Sequence, residues 1–318
     1  MQELFIEFCL VAFLSFIIGI GSSMVGISGG AFKTPVLIII FGLGAQFSTG
    51  VSLFSALFLA IPSTIEYNRN EKKPIMFKMG LIIALFSIPG LFLGVLLKTW
   101  ITDDFLFRTV FCVCLFPVAL MMLFSRKKQN ETTSNCVTKD YRLTFDDKPR
   151  LIVAGLGFFI AGIAGGLLGL GGGILYVPIM CLVLGMPMLI AAATSVFAML
   201  FSSSAGTIIN LILIPEIFDT YLFLFYSSAL GIGFVFGSKI GVDYACSIDS
   251  IQLKRFFGAV LVFPLVHLMR LGQIWLDPLG VNILVATLGD LIIWAFVIIP
   301  SAVIWMRWRG SNKDEIMP

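Results

Sequence analysis

A glycine cluster closed by a proline occurs twice in this chain and limits what the chain can fold into. The first copy runs from Gly26 to Pro35 and the second from Gly169 to Pro178, so the copies are 143 residues apart. At that spacing, the segments 19–54 and 162–197 share nine identical residues. Glycine adopts backbone conformations closed to other residues, and proline lacks the N–H group that a helix interior uses. The sequence therefore predicts an internal duplication with a broken helix in each half.

Both breaks lie in a chain that is apolar throughout. Of its 318 residues, 58% are hydrophobic and 12% are charged, and the mean hydropathy is +1.03. This composition is typical of a polytopic membrane protein. Broken backbone at membrane depth survives only where it is buried in protein or lines a wet cavity, because unpaired peptide groups are costly in hydrocarbon. Matching breaks in two halves are typical of a transporter's binding site.

The apolar runs that follow the glycine clusters, at about 31–43 and 174–186, are shorter than the others. About 13 helical residues reach roughly 20 Å, whereas the hydrocarbon core is roughly 30 Å thick. We expect a half-helix or a re-entrant leg at each place, and the sequence does not decide between them. The remaining apolar runs lie at about 4–25, 46–65, 75–97, 104–124, 150–168, 188–214, 220–241, 253–270 and 281–305.

Loop charge predicts how the spans are oriented. The links 66–78 and 125–150 are rich in lysine and arginine, which places both in the cytoplasm and the short link 98–103 outside. The counterpart of 66–78 in the second half is 215–219, which has no basic residue. The charge bias has therefore changed sides, as it would in two repeats inserted in opposite orientations.

The predicted fold is an all-α polytopic membrane protein with two inverted-topology repeats of about five helical segments each, broken at the glycine motifs. One extra C-terminal span follows the repeats. The N-terminus is expected outside and the C-terminus in the cytoplasm. The segments are a first transmembrane repeat at 1–124, a polar cytoplasmic linker at 125–149, a second repeat at 150–270, an additional transmembrane helix at 271–306 and a cytoplasmic tail at 307–318.

The motif itself has the pattern Gly-x-x-Gly-Gly-x-x-x-x-Pro after a first apolar run, and further glycine and Phe-Pro pairs recur in both halves. The residues that carry these patterns are Gly26, Gly29, Gly30, Pro35, Gly169, Gly172, Gly173, Pro178, Gly90, Gly94, Gly233, Gly237, Phe116-Pro117 and Phe263-Pro264. The pattern resembles the sulfite exporter TauE/SafE family of membrane permeases, over most of the chain except the linker and the last span. The resemblance implies export, or sometimes uptake, of small organosulfur compounds or sulfur oxyanions across a prokaryotic cytoplasmic membrane. The family is broad, so membership does not fix the substrate.

An anion at the bilayer midplane needs donors in place of water, and free N–H groups at the start of a half-helix supply them. We therefore predict a substrate site between the two motifs; the alternative is that the glycines only allow close helix packing. Gly30 and Gly173 are expected to need a positive φ. The candidate substrate-binding residues are Gly26, Ser28, Gly29, Gly30, Lys33, Ser52, Gly169, Gly171, Gly172, Gly173, Tyr176, Ser195, Thr207 and Asn210.

The two motifs differ in their side chains. Ser28 stands opposite Gly171 and Lys33 opposite Tyr176, so the motifs need not bind alike. Lys33 lies about one turn into the first half-helix, where its charge would favour an anion. The other interpretation is that its long stem reaches the membrane interface and touches no substrate.

Hydroxyl and amide residues recur at helical spacing after each motif and form one polar face in each half. They are Ser48, Ser52 and Ser55 in the first half and Ser203, Thr207 and Asn210 in the second. Each face could line a substrate path or make bonds between helices. His267 with Arg270 is a candidate proton-linked pair or an interfacial anchor, and Asp290 in the last span could contact another subunit.

Together these features predict a secondary transporter of a small anion, such as sulfite or an organosulfonate, that works by alternating access. A passive anion channel and an intramembrane enzyme are the alternatives, although His-Glu-x-x-His does not occur. No Walker motif is present, so ATP drive would need a separate subunit. The expected partners are the anion and the lipid bilayer, with proton coupling and homo-oligomers left open. No cofactor, metal, catalytic residue or nucleic-acid partner is expected.

Overall fold

The computed structural model is helical, and it describes residues 2–100, 148–215, 219–249, 252–256 and 258, with no strand among them. We number its main helices α1 to α8 in chain order. They are α1 (Gln2–Val25), α2 (Gly30–Ile39), α3 (Ala45–Arg69), α4 (Phe77–Trp100), α5 (Lys148–Leu168), α6 (Gly173–Leu182), α7 (Met188–Leu213) and α8 (Thr220–Ser247).

Six of these helices, α1, α3, α4, α5, α7 and α8, are long and apolar enough to cross a membrane. Large apolar side chains such as Phe5 and Phe13 on α1 are exposed, as expected for a helix that faces lipid. The prediction of an all-α polytopic membrane protein is therefore confirmed. The chain is a multi-pass membrane protein.

The helices after the glycine motifs are short, as the apolar runs indicate. Both α2 and α6 have ten residues, which corresponds to roughly 15 Å of helix. Neither can cross the hydrocarbon core alone. Each begins inside the protein, at the last glycine of its motif.

Helices of the two halves pack on each other in matching pairs: α1 on α8 and α4 on α5, with α3 on α7 between them. Glycines let the paired backbones approach closely. A Cβ on Gly94 would collide with the carbonyl oxygen of Ile163, and one on Gly237 would collide with that of Phe16. The paired glycines of the spans thus serve helix packing.

The counterpart helices α3 and α7 run in opposite directions. Near the start of α3, Thr49 is joined through Lys98 to Asn210, near the end of α7. At the other side, Thr194 near the start of α7 accepts a hydrogen bond from the N–H of Met76, after the end of α3. The contacts at the two ends show that α3 and α7 are antiparallel.

Two details of the expected topology are wrong. The link between α3 and α4 was expected to begin at residue 66, but α3 continues to Arg69. Lys98 lies in the last turn of α4 and is fully buried, whereas it was expected in an outer link. Other predictions fall outside the described residues: the span at 104–124, most of the linker, the last span and tail, both Phe-Pro pairs, His267, Arg270 and Asp290.

Candidate functional site

The two glycine motifs form the same turn. Gly29 and Gly172 are the N-cap residues of α2 and α6, with φ of 71° and 80°. The N–H groups of Lys33 and Tyr176 donate to the carbonyl oxygens of these glycines over 2.9 and 3.1 Å. These left-handed conformations favour glycine. Positive φ values also occur at Gly26, Gly169 and Gly171.

Gly30 and Gly173 are needed for a different reason from the one expected. They are the first residues of their helices and have no positive φ. A Cβ on Gly30 would lie 2.7 Å from the carbonyl oxygen of Gly169, and one on Gly173 would lie 2.9 Å from that of Gly26. Real side chains do not come so close, so these two glycines mark where the motifs touch each other.

Serine hydroxyls hold the carbonyl groups of the opposite motif. The Ser195 hydroxyl donates to the carbonyl oxygen of Gly26 over 2.8 Å, and the Ser52 hydroxyl donates to that of Gly169 over 2.7 Å. These serines are counterparts in the two repeats. The Ser28 hydroxyl donates to the carbonyl oxygen of Leu170 over 2.5 Å. All three serines are buried, so their bonds tie the two motifs together.

The start of each half-helix presents backbone donors to this junction. The first two N–H groups of α2 and of α6 have no intrahelical acceptor, and the N-cap glycines have no side chain that could accept from them. The N–H of Gly30 makes only a 3.3 Å contact with the Ser28 hydroxyl oxygen. Since α2 and α6 begin at touching motifs, two positive helix ends meet there.

Lys33 brings a basic side chain to the first motif. Its side chain is fully buried, and its Nζ has no hydrogen-bond partner among the described residues. The Nζ lies 5.0 Å from the ring centroid of Phe234 on α8, within cation–π range. The side chain does not reach the surface, which disfavours an interfacial anchor. A buried ammonium with unmet donors is costly unless a ligand or counter-charge meets it.

Tyr176 replaces that cation in the second motif. Its ring covers Gly172, where a Cβ would collide with it, and packs edge-on against Phe158 at 6.0 Å between centroids. The hydroxyl lies beside those of Ser87 and Ser202 but makes no well-formed hydrogen bond with a described residue. The two halves of the junction therefore differ in charge.

The polar faces of α3 and α7 are buried, and their side chains differ in what they bond to. The hydroxyls of Ser55 and Thr207 donate to carbonyl groups of their own helices, so these two make local bonds. Ser48 and Ser203 have buried hydroxyls without a partner in the described part of the chain. Asn210 bonds to another helix.

Sequence reasoning missed Lys98, a buried lysine whose Nζ is hydrogen-bonded to two neutral side chains. Its Nζ donates to Thr49 Oγ1 and to Asn210 Oδ1, each over 2.6 Å. The repeat gave no signal, because Gly241 stands at the equivalent place. The one available signal was the position of this lysine at the end of an apolar run.

The described interior has buried basic side chains and no buried acidic ones. Its buried charged side chains are Lys33, Lys98 and Lys254, and no aspartate or glutamate is buried with them. Over the same residues, no group of three histidine, cysteine or acidic side chains could hold a metal ion.

Comparison with known proteins gives consistent matches. A family model described as Sulfite exporter TauE/SafE matches residues 11–268. The probable membrane transporter protein YunE of Bacillus subtilis strain 168 is 27% identical over 250 residues, which cover 74% of this chain and 87% of that protein. The probable membrane transporter protein MJ0441 of Methanocaldococcus jannaschii is 28% identical over 262 residues, covering 79% and 91% respectively. No solved structure matches the chain.

Proposed function

Because the chain belongs to the sulfite exporter TauE/SafE family of membrane transporters, we propose that it is a secondary transporter that exports a small sulfur oxyanion. Sulfite or an organosulfonate is the substrate class. The substrate binds between the two glycine motifs and crosses by alternating access. The two relatives are named as probable membrane transporter proteins, which supports transport over enzymatic activity.

The observation that carries this proposal is the Lys33 side chain, whose Nζ has no hydrogen-bond partner among the described residues. It is buried beside the start of α2, and no buried carboxylate among the described residues balances it. Ionisable groups inside spans are expensive and are typical of substrate pathways. An oxyanion would accept hydrogen bonds from the ammonium and from the first N–H groups of α2 and α6.

Alternating access requires that the two halves can move relative to each other. The bonds from Ser195 to Gly26 and from Ser52 to Gly169 cross between the halves at the proposed site. Each bond joins a hydroxyl to one carbonyl oxygen, so both can be exchanged for water or substrate when the junction opens. Rocking of one repeat against the other around a fixed site is the usual mechanism of inverted-repeat transporters.

We place the chain in the cytoplasmic membrane of a prokaryote, with the N-terminus outside and the C-terminus in the cytoplasm. Cysteines introduced at the exposed residues Glu71 and Thr220, after replacement of the native cysteines, should react with an impermeant maleimide from opposite faces. The basic link near Glu71 should be cytoplasmic. Reaction of both cysteines from the same face would overturn the inverted topology.

Sulfite flux into proteoliposomes tests the function. For a carrier, unlabelled sulfite trapped inside should accelerate entry of ³⁵S-sulfite, and an imposed proton gradient should change the rate if transport is proton-coupled. For a passive channel, entry should follow the membrane potential without this acceleration. Recovery of the label in a new compound would indicate an enzyme. If neither sulfite nor methanesulfonate enters faster than into protein-free liposomes, the proposal is wrong.

A further inference from the structure

The second glycine motif lacks a cation of its own, yet a buried lysine lies close to it. Tyr176 occupies the place that Lys33 has in the first motif. Gly169 of the second motif lies against Thr49, because a Cβ on Gly169 would be 2.7 Å from Thr49 Cα. The Thr49 hydroxyl in turn accepts a hydrogen bond from Lys98. Lys98 of α4 thus lies near the second motif, with Thr49 between them.

The geometry points to a second anion-binding site formed by Lys98 with Thr49 and Asn210, which rests on the proposed function of the chain as an anion transporter. An ammonium has three N–H donors. Two are directed at Thr49 Oγ1 and Asn210 Oδ1, each over 2.6 Å, and the third, which has no acceptor among the described residues, is assigned to an oxyanion.

The partners of Lys98 are held firmly and carry no charge. Thr49 donates its own proton to the carbonyl oxygen of Gln46 over 2.8 Å, and the Asn210 amide donates to that of Gly206 over 2.8 Å. Both oxygens therefore face the ammonium as acceptors. Neutral acceptors orient a cation without balancing its charge, and Lys98 is fully buried. A bound oxyanion would supply the missing charge.

The site lies at one end of the helices that form it. Lys98 is in the last turn of α4, Thr49 is near the start of α3 and Asn210 is near the end of α7. In the orientation proposed above, this end faces outward. An exported anion that leaves Lys33 would meet Lys98 next, and several sites of moderate affinity allow an ion to enter and to leave.

A structural role is the competing explanation, because Lys98 joins three helices and a cation suits a helix C-terminus. The variants Lys98→Gln and Lys98→Met separate the two roles. Glutamine keeps N–H donors for Thr49 and Asn210 but removes the charge, whereas methionine removes both. The exposed Lys239 provides a charge-matched control, Lys239→Gln.

Binding of ³⁵S-sulfite to the purified full-length protein, measured by equilibrium dialysis under nitrogen, tests the inference. Lys98→Gln and Lys98→Met should each lower the affinity for sulfite at the Lys98 site about tenfold or more, because a charge-assisted hydrogen bond is lost. Lys33→Gln should keep a residual binding that the double variant Lys33→Gln/Lys98→Gln loses. Lys239→Gln should bind sulfite as the wild type does.

Two results would overturn this site and leave the proposed function standing. In the first, Lys98→Gln binds as much sulfite as the wild type, with the same affinity, while Lys98→Met melts at a lower temperature. Lys98 would then only hold the three helices together. The other is loss of all binding in Lys33→Gln alone. If the wild type binds no sulfite, the proposed function falls and the second site falls with it.

Discussion

Replacing Gly30 or Gly173 by valine should abolish sulfite transport while the protein still reaches the membrane. The added side chain at residue 30 would press on the backbone of Gly169 and Leu170, which lie 2.7 and 2.9 Å from the position of its Cβ. Backbone cannot move aside as a side-chain tip can, so the two motifs must separate. The first N–H groups of α2 and α6 would then no longer face one ligand.

Gly44→Val is the matched control, because Gly44 has a negative φ and no heavy atom lies within 4 Å of its Cβ position. Flux per amount of membrane-inserted protein should be unchanged in this variant. The measurement is counterflow of ³⁵S-sulfite in proteoliposomes, normalised to the protein present. Wild-type flux in both Gly30→Val and Gly173→Val would mean that these glycines only provide packing space.

Neutralising Lys33 should weaken anion binding and, at the same time, leave the protein at least as stable. Lys33→Gln removes a charge-assisted hydrogen bond, so the affinity for sulfite should fall by about 10- to 100-fold. Lys33→Met also removes a buried ammonium that has no hydrogen-bond partner among the described residues. Relief of that desolvation cost should raise the melting temperature in the absence of anion.

Sulfite titration of the purified variants at equal ionic strength, beside melting curves without sulfite, measures both effects. The exposed Lys239→Gln is again the control for loss of one positive charge. A stable Lys33→Gln protein that binds sulfite with wild-type affinity would show that Lys33 is not part of the site. Lower stability of Lys33→Met would show that the ammonium has a structural role.

The repeat made the fold predictable to a useful degree. Apolar length and composition identified the spans, and Gly26, Gly29 and their counterparts identified both breaks, because glycine and proline act through local backbone geometry. The roles of Gly30 and Gly173 were not predictable in the same way. Their constraint comes from contact with the other motif, and such a contact depends on the tertiary arrangement.

Side-chain roles were predictable only where local sequence determines them. Ser52 and Ser195, which are identical in the two repeats, were among the candidates, but their bonds to carbonyl groups of the opposite motif are long-range. Lys98 was misplaced because a lysine at the end of an apolar run also fits a loop. Its burial depends on Thr49 and Asn210, which are distant in sequence.

The central claim is that the paired motifs bind an oxyanion, and the position of bound selenite tests it most directly. Selenite has the pyramidal shape and the charge of sulfite, and its selenium scatters X-rays anomalously. In crystals of the wild-type protein soaked with selenite, an anomalous peak should lie within about 3–4 Å of Lys33 Nζ, allowing for the Se–O bond. It should stand between the starts of α2 and α6. Absence of a peak there, in crystals soaked at saturating selenite, would contradict the account.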